Sequence, residues 1–139
     1  MLSPYSQRFA DRLFAAYPEW RPLQRDYPND DLSVSIPAPQ DGSPALNIYA
    51  EGEITLSYSQ WHTHFDWLND NEAESFADAL EFIHDLLAEE VCIAARWKGE
   101  RISSAGTLVP GGISTFDPGA TRIKVRSWRG TYDKEYPAP

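Results

Sequence analysis

The chain has 139 residues, of which 42% are hydrophobic and 13% aromatic, and it carries a net charge of −9. This length suits a single domain, residues 1–139, with enough apolar side chains for one core. The acidic balance argues against nucleic acid as a partner, and the sequence lacks the run of about 20 apolar residues that a membrane helix needs. Cys92 is the only cysteine, so an internal disulfide is excluded and a cytoplasmic location is expected.

The first predicted element is an N-terminal helix within residues 1–17. Ser3 suits the N-cap and Pro4 the first helical position, while Tyr5, Phe9 and Leu13 recur every four residues. Pro18 ends this helix because the residue before a proline is pushed out of the α region. Residues 18–31 contain three prolines and are predicted to be an irregular connection.

A group of strands is predicted over residues 32–67. Apolar and polar residues alternate in its segments, and the dipeptide Glu51-Gly52 suits a tight hairpin turn. We expect a turn or bulge near Ser59-Gln60, because an unbroken strand would place histidines on the core face. Such a turn would bury a set of three aromatic residues instead. The predicted strands are Leu32–Ile36, Ala45–Ala50, Glu53–Ser59 and Gln60–Trp67, and the aromatic set is Trp61, Phe65 and Trp67.

The clearest helix signal covers residues 71–88. Asn71, with Glu74 three residues later, has a capping-box pattern. The predicted apolar face consists of Ala73, Phe76, Ala77, Leu80, Ile83 and Leu87. The opposite face is acidic at helical spacing and carries Glu74, Asp78, Glu81 and Asp85.

A second group of strands is predicted over residues 91–128, followed by a partly ordered tail, 129–139. Val91–Trp97 and Arg101–Val109 flank Lys98-Gly99 as a hairpin, and Thr121–Trp128 alternates again. Short links favour antiparallel pairing. The predicted fold is therefore α+β, with a single antiparallel sheet of about six or seven strands and two main helices packed on one face.

The acidic residues are concentrated in the middle of the sequence. From Asp26 to Ala95 there are fifteen Asp and Glu and no Lys or Arg, whereas the flanking segments are net positive. A helix selected for stability alone would mix both signs, because acids at this spacing repel one another. We therefore expect that this segment, including Asp66 and Asp70, meets a cationic partner.

The string His62-Thr63-His64-Phe65-Asp66 is the main candidate for chemistry. In a strand, His62, His64 and Asp66 share one face, and such groups can hold Zn²⁺. Further metal ligands are not evident in the sequence, so hydrogen bonding or an interface is the favoured interpretation. No cofactor and no catalytic residue is predicted: Cys92 alternates with apolar neighbours and suits packing.

The basic residues of the second strand group are the last candidate site. Arg122, Lys124 and Arg126, with Arg129, could bind phosphate. The favoured interpretation is pairing with acids on neighbouring strands, since the net charge argues against nucleic acid.

A hairpin that leads into the aromatic strand WHTHFDW (61–67), followed by an acidic amphipathic helix, resembles immunity proteins of bacterial polymorphic-toxin systems, of the contact-dependent or type VI secretion kind. The segment SWRGTYD (127–133) adds to this resemblance, which extends over about residues 32–133. The resemblance implies a cytoplasmic, non-enzymatic protein that binds a cognate toxin and blocks its active site or the access of its substrate. The expected toxin-binding residues are Glu74, Asp78, Glu81, Asp85, Asp66, Asp70, His62 and His64.

Two alternatives come from the same residues. One is a metal-dependent hydrolase that uses His62, His64 and Asp66. The other is a homodimeric interaction or scaffold protein that pairs through an exposed sheet edge or an aromatic patch.

Overall fold

The computed structural model describes residues 1–26, 28–65, 71–112 and 119–137. This part of the chain forms two α-helices, two short 3₁₀ helices and nine strands arranged in two sheets. The α+β class is confirmed, but the prediction of one sheet with six or seven strands is wrong. Within the described ranges, no helix is long and apolar enough to cross a membrane.

The chain divides into two compact units. The first unit comprises residues 1–37, 45–58 and 62–82, and the second comprises residues 38–44, 59–61 and 83–139. The prediction of a single domain over 1–139 stays a prediction.

The first sheet has five antiparallel strands in chain order: β1 (Gln24–Asp26), β2 (Leu32–Ile36), β3 (Leu46–Ala50), β4 (Ile54–Tyr58) and β5 (Trp61–Phe65). The hairpin predicted between β3 and β4 is present with a longer link, because Ala50 pairs with Ile54 and leaves three residues in the loop. Gly52 has a φ of +87° there, a conformation that glycine adopts without steric cost. The 18–31 segment is less irregular than expected, since it contains β1 and 3₁₀ helices at Pro18–Leu23 and Pro28–Asp30.

Helix α1 (Pro4–Ala16) forms where the sequence predicts it. The Ser3 hydroxyl accepts a hydrogen bond from the Ser6 amide at 3.2 Å, as an N-cap does. Ser6 is buried, and its Oγ donates to the carbonyl of Ala50 on β3 at 2.6 Å. This bond fixes the helix against the sheet, and the apolar residues that α1 buries are Phe9, Ala10, Leu13 and Phe14.

Helix α2 (Glu72–Leu87) begins in the first unit and ends in the second. The Asn71 side chain accepts from the amides of Ala73 and Glu74, at 2.9 and 3.4 Å, and so confirms the predicted N-cap. The predicted apolar face is only partly right, because Ala73 and Ala77 are exposed and Leu80 and Leu87 are half-buried. The apolar residues that α2 buries are Phe76, Ala79, Ile83 and Leu86.

The aromatic ring of Phe76 packs α2 against α1. It packs edge-on against Tyr5 and Phe9, with ring centroids 5.3 and 5.1 Å apart. Phe76 belongs to both the predicted and the observed face, and the face differs at the alanines, since Ala79 is buried and Ala77 is exposed. Alanine is small and only weakly apolar, so the sequence pattern does not distinguish a buried alanine from an exposed one.

The second sheet has four antiparallel strands in the order β7-β6-β8-β9. Their ranges are Cys92–Lys98 (β6), Arg101–Leu108 (β7), Arg122–Arg126 (β8) and Lys134–Pro137 (β9). The β6–β7 link is Gly99-Glu100, one residue later than predicted, because Lys98 pairs with Arg101. Cys92 and Ala94 of β6 form a buried cluster with Ile123 and Val125 of β8. The predicted tail, 129–139, contributes strand β9.

Candidate partner-binding surface

One face of the five-stranded sheet lies on the core, and the other carries polar side chains. Strands β2, β3 and β4 alternate strictly between buried and half-buried residues. The half-buried residues line up across the strands, Ser33 beside Tyr49 and Tyr49 beside Thr55. We call this second side the outer face, and on β2 to β4 it consists of Ser33, Ser35, Asn47, Tyr49, Thr55 and Ser57. It offers hydroxyl and amide groups but no charge of its own.

Strand β5 continues the outer face with His62 and His64. A two-residue turn with Ser59 at a φ of +57° separates β4 from β5, where a turn or bulge was expected. Both histidines are exposed, and their rings lie 5.2 Å apart. Trp61 and Phe65 point the other way and are half-buried, whereas Trp67 lies outside the described residues. The histidines therefore share one face as predicted, and Asp66, the third member of that string, also lies outside the described residues.

His64 is held by two neighbours through a single ring nitrogen. Its Nδ1 lies 2.9 Å from Thr55 Oγ1 and 3.2 Å from Glu53 Oε1. An ionised Glu53 can only accept, so this arrangement favours the tautomer with its proton on Nδ1. In that tautomer the other nitrogen, Nε2, is a hydrogen-bond acceptor.

A shallow cavity of about 210 Å³ opens beside His64. It is lined by Asp31, Leu32, Tyr49, Glu51, Thr55 and His64. Two carboxylates and one aromatic ring are the groups that bind a guanidinium or ammonium in proteins. Asp31 and Glu51 are absent from the predicted site residues; their membership of the base-free segment was the only signal that could have pointed to them.

The predicted acidic residues of α2 have different environments. Glu74, Asp78 and Glu81 are exposed, and no ion pair to them occurs within the described part of the chain. Asp85 is half-buried and lies 3.5 Å from the ring of His84. Asp70 lies outside the described residues. Within the described residues, no hydrogen bond or ion pair joins Glu74, Asp78 or Glu81 to His62 or His64, and the joint binding site stays a prediction.

The start of α2 is partly neutralised by α1. Arg8 binds Glu72 through two hydrogen bonds, 2.6 and 2.9 Å long, and the Arg8 bond lowers the pKa of Glu72. The Arg12 guanidinium lies 5.9 Å from the ring centroid of Phe76. The bases that the middle of the sequence lacks are therefore supplied by α1, but only over the first turn of α2.

The net charge of the protein lies in one unit. The ranges of the first unit contain four Arg and thirteen acids, whereas those of the second contain eight basic and eight acidic residues. The first unit thus carries −9 and the second is neutral. The unit that contains the outer face is therefore the one that carries the net negative charge.

Arg122 and Arg126 of the basic ladder are paired with acids, which agrees with the favoured interpretation for these two residues. Arg122 lies 3.3 Å from Glu135, and Arg126 lies 3.3 Å from Asp133. Arg122 also lies over the Trp97 ring at 4.7 Å. These contacts tie β8 to its neighbours and leave less positive charge for a phosphate.

Glu89, in the second unit, is a buried carboxylate that the sequence did not single out. Glu89 accepts hydrogen bonds from the backbone and side chains of Arg129 and Thr131, at 2.6 to 3.2 Å. Burial alone would raise the pKa of Glu89, but bonds from Ser127, Thr131 and Arg129 outweigh it and lower the pKa to about 2. The segment SWRGTYD thus has an internal structural role in addition to the resemblance that it carries.

Potential cation ligands also occur at the end of α2. The ligand atoms of His84, Asp85 and Glu90 lie within 4.8 Å of one another. These groups are exposed or half-buried, and no further feature of the described residues points to an ion there.

Comparisons with protein-family models, with curated proteins and with solved structures found no match.

Proposed function

We propose that this protein is a non-enzymatic immunity protein that binds and neutralises a toxin through the acidic first unit. The observation that carries the proposal is the segregation of charge: −9 in the first unit and zero in the second. A protein that needed acids only for solubility would have no reason to confine them to one unit. The resemblance of WHTHFDW and the acidic helix to immunity proteins indicates that the partner is a protein toxin.

The outer face supplies the specific contacts in this proposal. A basic side chain of the toxin enters the cavity between Asp31, Glu51 and Tyr49, where it is neutralised and can lie against the aromatic ring. His64, oriented by Thr55 and Glu53, accepts a hydrogen bond through Nε2. The serine, threonine and asparagine side chains around it complete a polar rim of the kind found in protein interfaces.

The exposed acids of α2 act at longer range. Glu74, Asp78 and Glu81 raise the rate of encounter with a basic surface, an effect that salt screens over about 8 to 10 Å at physiological ionic strength. The cavity residues act after encounter and determine how long the complex lasts.

The test is a protection assay with the protein encoded by the adjacent gene, because immunity genes of such systems lie beside their toxin genes. We expect that product to stop growth of a host cell and this chain to restore growth. The triple variant Glu74→Lys/Asp78→Lys/Glu81→Lys should weaken protection, as should Glu51→Lys in the cavity. The matched control, Asp41→Lys/Glu90→Lys/Glu100→Lys, makes the same change in charge at exposed positions of the second unit and should protect fully.

Two outcomes would contradict the proposal. If the adjacent product is harmless, or if the chain fails to restore growth, the protein is not an immunity protein of this kind. If it protects but the control variant loses as much protection as the first-unit variants, the binding surface lies elsewhere. Purified variants should first show the circular dichroism of the parent chain, so that lost protection reports binding.

The metal-dependent hydrolase stays the alternative because His62 and His64 lie side by side and exposed. It requires a metal that copurifies with the protein or a hydrolytic activity that appears on adding Zn²⁺ or Mn²⁺. Elemental analysis of the purified chain, with His62→Ala/His64→Ala as the control, separates the two functions.

A further inference from the structure

Two carboxylates face each other at one end of strands β2 and β3. Leu32 pairs with Ala50 in the antiparallel register, so the next residues outward, Asp31 and Glu51, lie opposite one another. Both line the cavity of about 210 Å³ on the outer face, which places their side chains on the same side of the sheet. Like charges at directly opposite positions destabilise a strand pair.

Within the described residues, no basic group neutralises this pair. Neither carboxylate forms an ion pair or a side-chain hydrogen bond there. The neighbouring acids differ, because Asp30 lies 3.6 Å from the N-terminal amine and Glu53 lies 3.2 Å from His64 Nδ1. Asp31 is also half-buried, which reduces the solvation of its charge. The chain alone therefore has a repulsion at the cavity that a bound cation would remove.

We infer that this cavity binds an arginine side chain and prefers arginine to lysine. The guanidinium is planar and has five N–H donors in a fixed fork, so it can donate to both carboxylates at once. Cβ atoms at opposite positions of an antiparallel pair lie about 4.5–5.5 Å apart, a separation that one guanidinium can bridge. Tyr49 adds an aromatic side chain to the cavity wall, and arginine stacks on aromatic rings more readily than lysine does.

A divalent metal ion is the other cation that two carboxylates could hold, but the cavity suits it less well. Ca²⁺ takes about six to eight oxygen ligands. Besides the two carboxylates, the described lining residues offer the hydroxyls of Tyr49 and Thr55, and Thr55 Oγ1 already lies 2.9 Å from His64 Nδ1. An arginine needs only a few acceptors and a flat wall, which these residues provide.

The source of the arginine is the toxin, and this step rests on the proposed function. The exposed acids of α2 attract any basic surface, whereas opposed carboxylates in a cavity discriminate between one basic side chain and another. The cavity therefore makes arginine, at one position of the toxin, a requirement for tight binding.

The test uses the isotope-labelled, purified chain and two probes, N-acetyl-arginine methylamide and N-acetyl-lysine methylamide, followed by nuclear magnetic resonance. The arginine probe should shift the backbone amide resonances of residues 31–33, 49–51 and 53–55 with a Kd of about 1–10 mM. The lysine probe should bind more weakly by about fivefold or more. Absence of shifts at ~50 mM arginine probe, or equal affinity for the two probes, would overturn the inference.

A matched pair of variants tests the opposed carboxylates. Glu51→Gln keeps the size of the side chain and should weaken binding of the arginine probe by about fivefold or more. The same variant should raise the urea midpoint of unfolding, because the repulsion with Asp31 is removed. The control, Glu100→Gln, makes the same change in charge at an exposed position of the second unit and should alter neither property. Unchanged arginine binding by Glu51→Gln, or a lower midpoint, would contradict the inference.

A last measurement identifies the source of the arginine. When the product of the adjacent gene is bound, the arginine probe should no longer shift these resonances, because the toxin's own arginine fills the cavity. Continued binding of the probe to the complex would overturn that assignment. The protection assay separates the two proposals: a chain that protects without binding the probe refutes only the arginine site, whereas a chain that binds the probe without protecting refutes the immunity function and the toxin as the source.

Discussion

The Glu89 carboxylate and the Arg129 guanidinium form an ion pair of 2.9 Å that joins the end of α2 to the turn between β8 and β9. The side chain of Glu89 is only 2% exposed, whereas that of Arg129 is 59% exposed. Glu89 also has a φ of +57°, and its amide donates to Leu86 while the Glu90 amide donates to Asp85. These two bonds form a Schellman motif, in which glycine is the usual residue at the position of Glu89.

Glu89 therefore has a strained backbone conformation, and the hydrogen bonds of its carboxylate stabilise it there. A non-glycine residue in the left-handed region costs about 1 kcal/mol. The carboxylate offsets this cost through its bonds to Arg129 and Thr131, and neighbouring Asp133 fixes the same turn by accepting from the Ser127 amide at 2.7 Å.

The first prediction concerns pH. The pKa of Glu89 falls from the ordinary 4.5 to about 2 on folding, so the ionised group contributes stability that is fully present above pH 4.5. This stability is lost as the pH falls from about 4.5 to about 2, because in that range Glu89 is protonated in the unfolded chain but still ionised in the folded chain. A drop of this size corresponds to about 3 kcal/mol. Urea unfolding followed at pH 7, 4 and 2.5 will measure it.

The second prediction isolates the same carboxylate by mutation. Glu89→Gln keeps the size of the side chain but removes the charge that Arg129 and Thr131 bind, and we expect a loss of about 2–3 kcal/mol in the free energy of unfolding at pH 7. Its stability should also vary less between pH 4.5 and 2 than that of the parent chain. Glu90→Gln, one residue later and exposed, is the control and should change stability by less than about 0.5 kcal/mol. Equal losses in both variants would argue against the Glu89 cluster.

The sequence predicts local structure in this chain better than it predicts pairing. Strand β2 is found at its predicted bounds, and the Ser3 and Asn71 caps are present, since caps, turns and alternation depend on neighbours in sequence. The division into two sheets was missed because both arrangements use the same strands. Only long-range packing decides whether β6, which follows α2, joins the first sheet or begins another.

The candidate site shows the same division. His62 and His64 share a face because strand geometry requires it, and the sequence alone predicted this. The contact of His64 with Thr55 depends on the pairing of two strands, and the Glu89 cluster joins residues 40 positions apart. Its one local signal is the absence of glycine after α2. When a helix without a following glycine ends in the left-handed conformation, another residue must adopt the positive φ, as Glu89 does here.

The third prediction concerns Cys92. It is fully buried, and burial raises the pKa of its thiol, which the nearby carboxylates of Glu89 and Asp133 raise further. Since the thiolate is the reactive form, we expect labelling by a thiol reagent at pH 7.5 to be at least a hundredfold slower than for glutathione. Full reactivity in 6 M guanidinium chloride is the control. Rapid labelling of the folded chain would mean that β6 opens readily or that Cys92 is not packed as described.

The fourth prediction tests which side of α2 faces the interior, using two alanines two positions apart. Ala79 is fully buried and Ala77 is exposed, whereas the sequence pattern had placed Ala77 on the apolar face. Ala79→Leu adds three carbons to a filled interior and should lower the free energy of unfolding by about 1–3 kcal/mol. Ala77→Leu adds the same atoms in solvent, with a similar helix propensity, and should change it by less than about 0.5 kcal/mol. Urea unfolding followed by tryptophan fluorescence measures both variants under one set of conditions.

Two results would contradict this orientation of α2. If Ala77→Leu lowers the free energy of unfolding more than Ala79→Leu does, Ala77 packs inside and α2 is rotated. If both variants have equally small effects, the space beside Ala79 is open and the interior there is not closely packed.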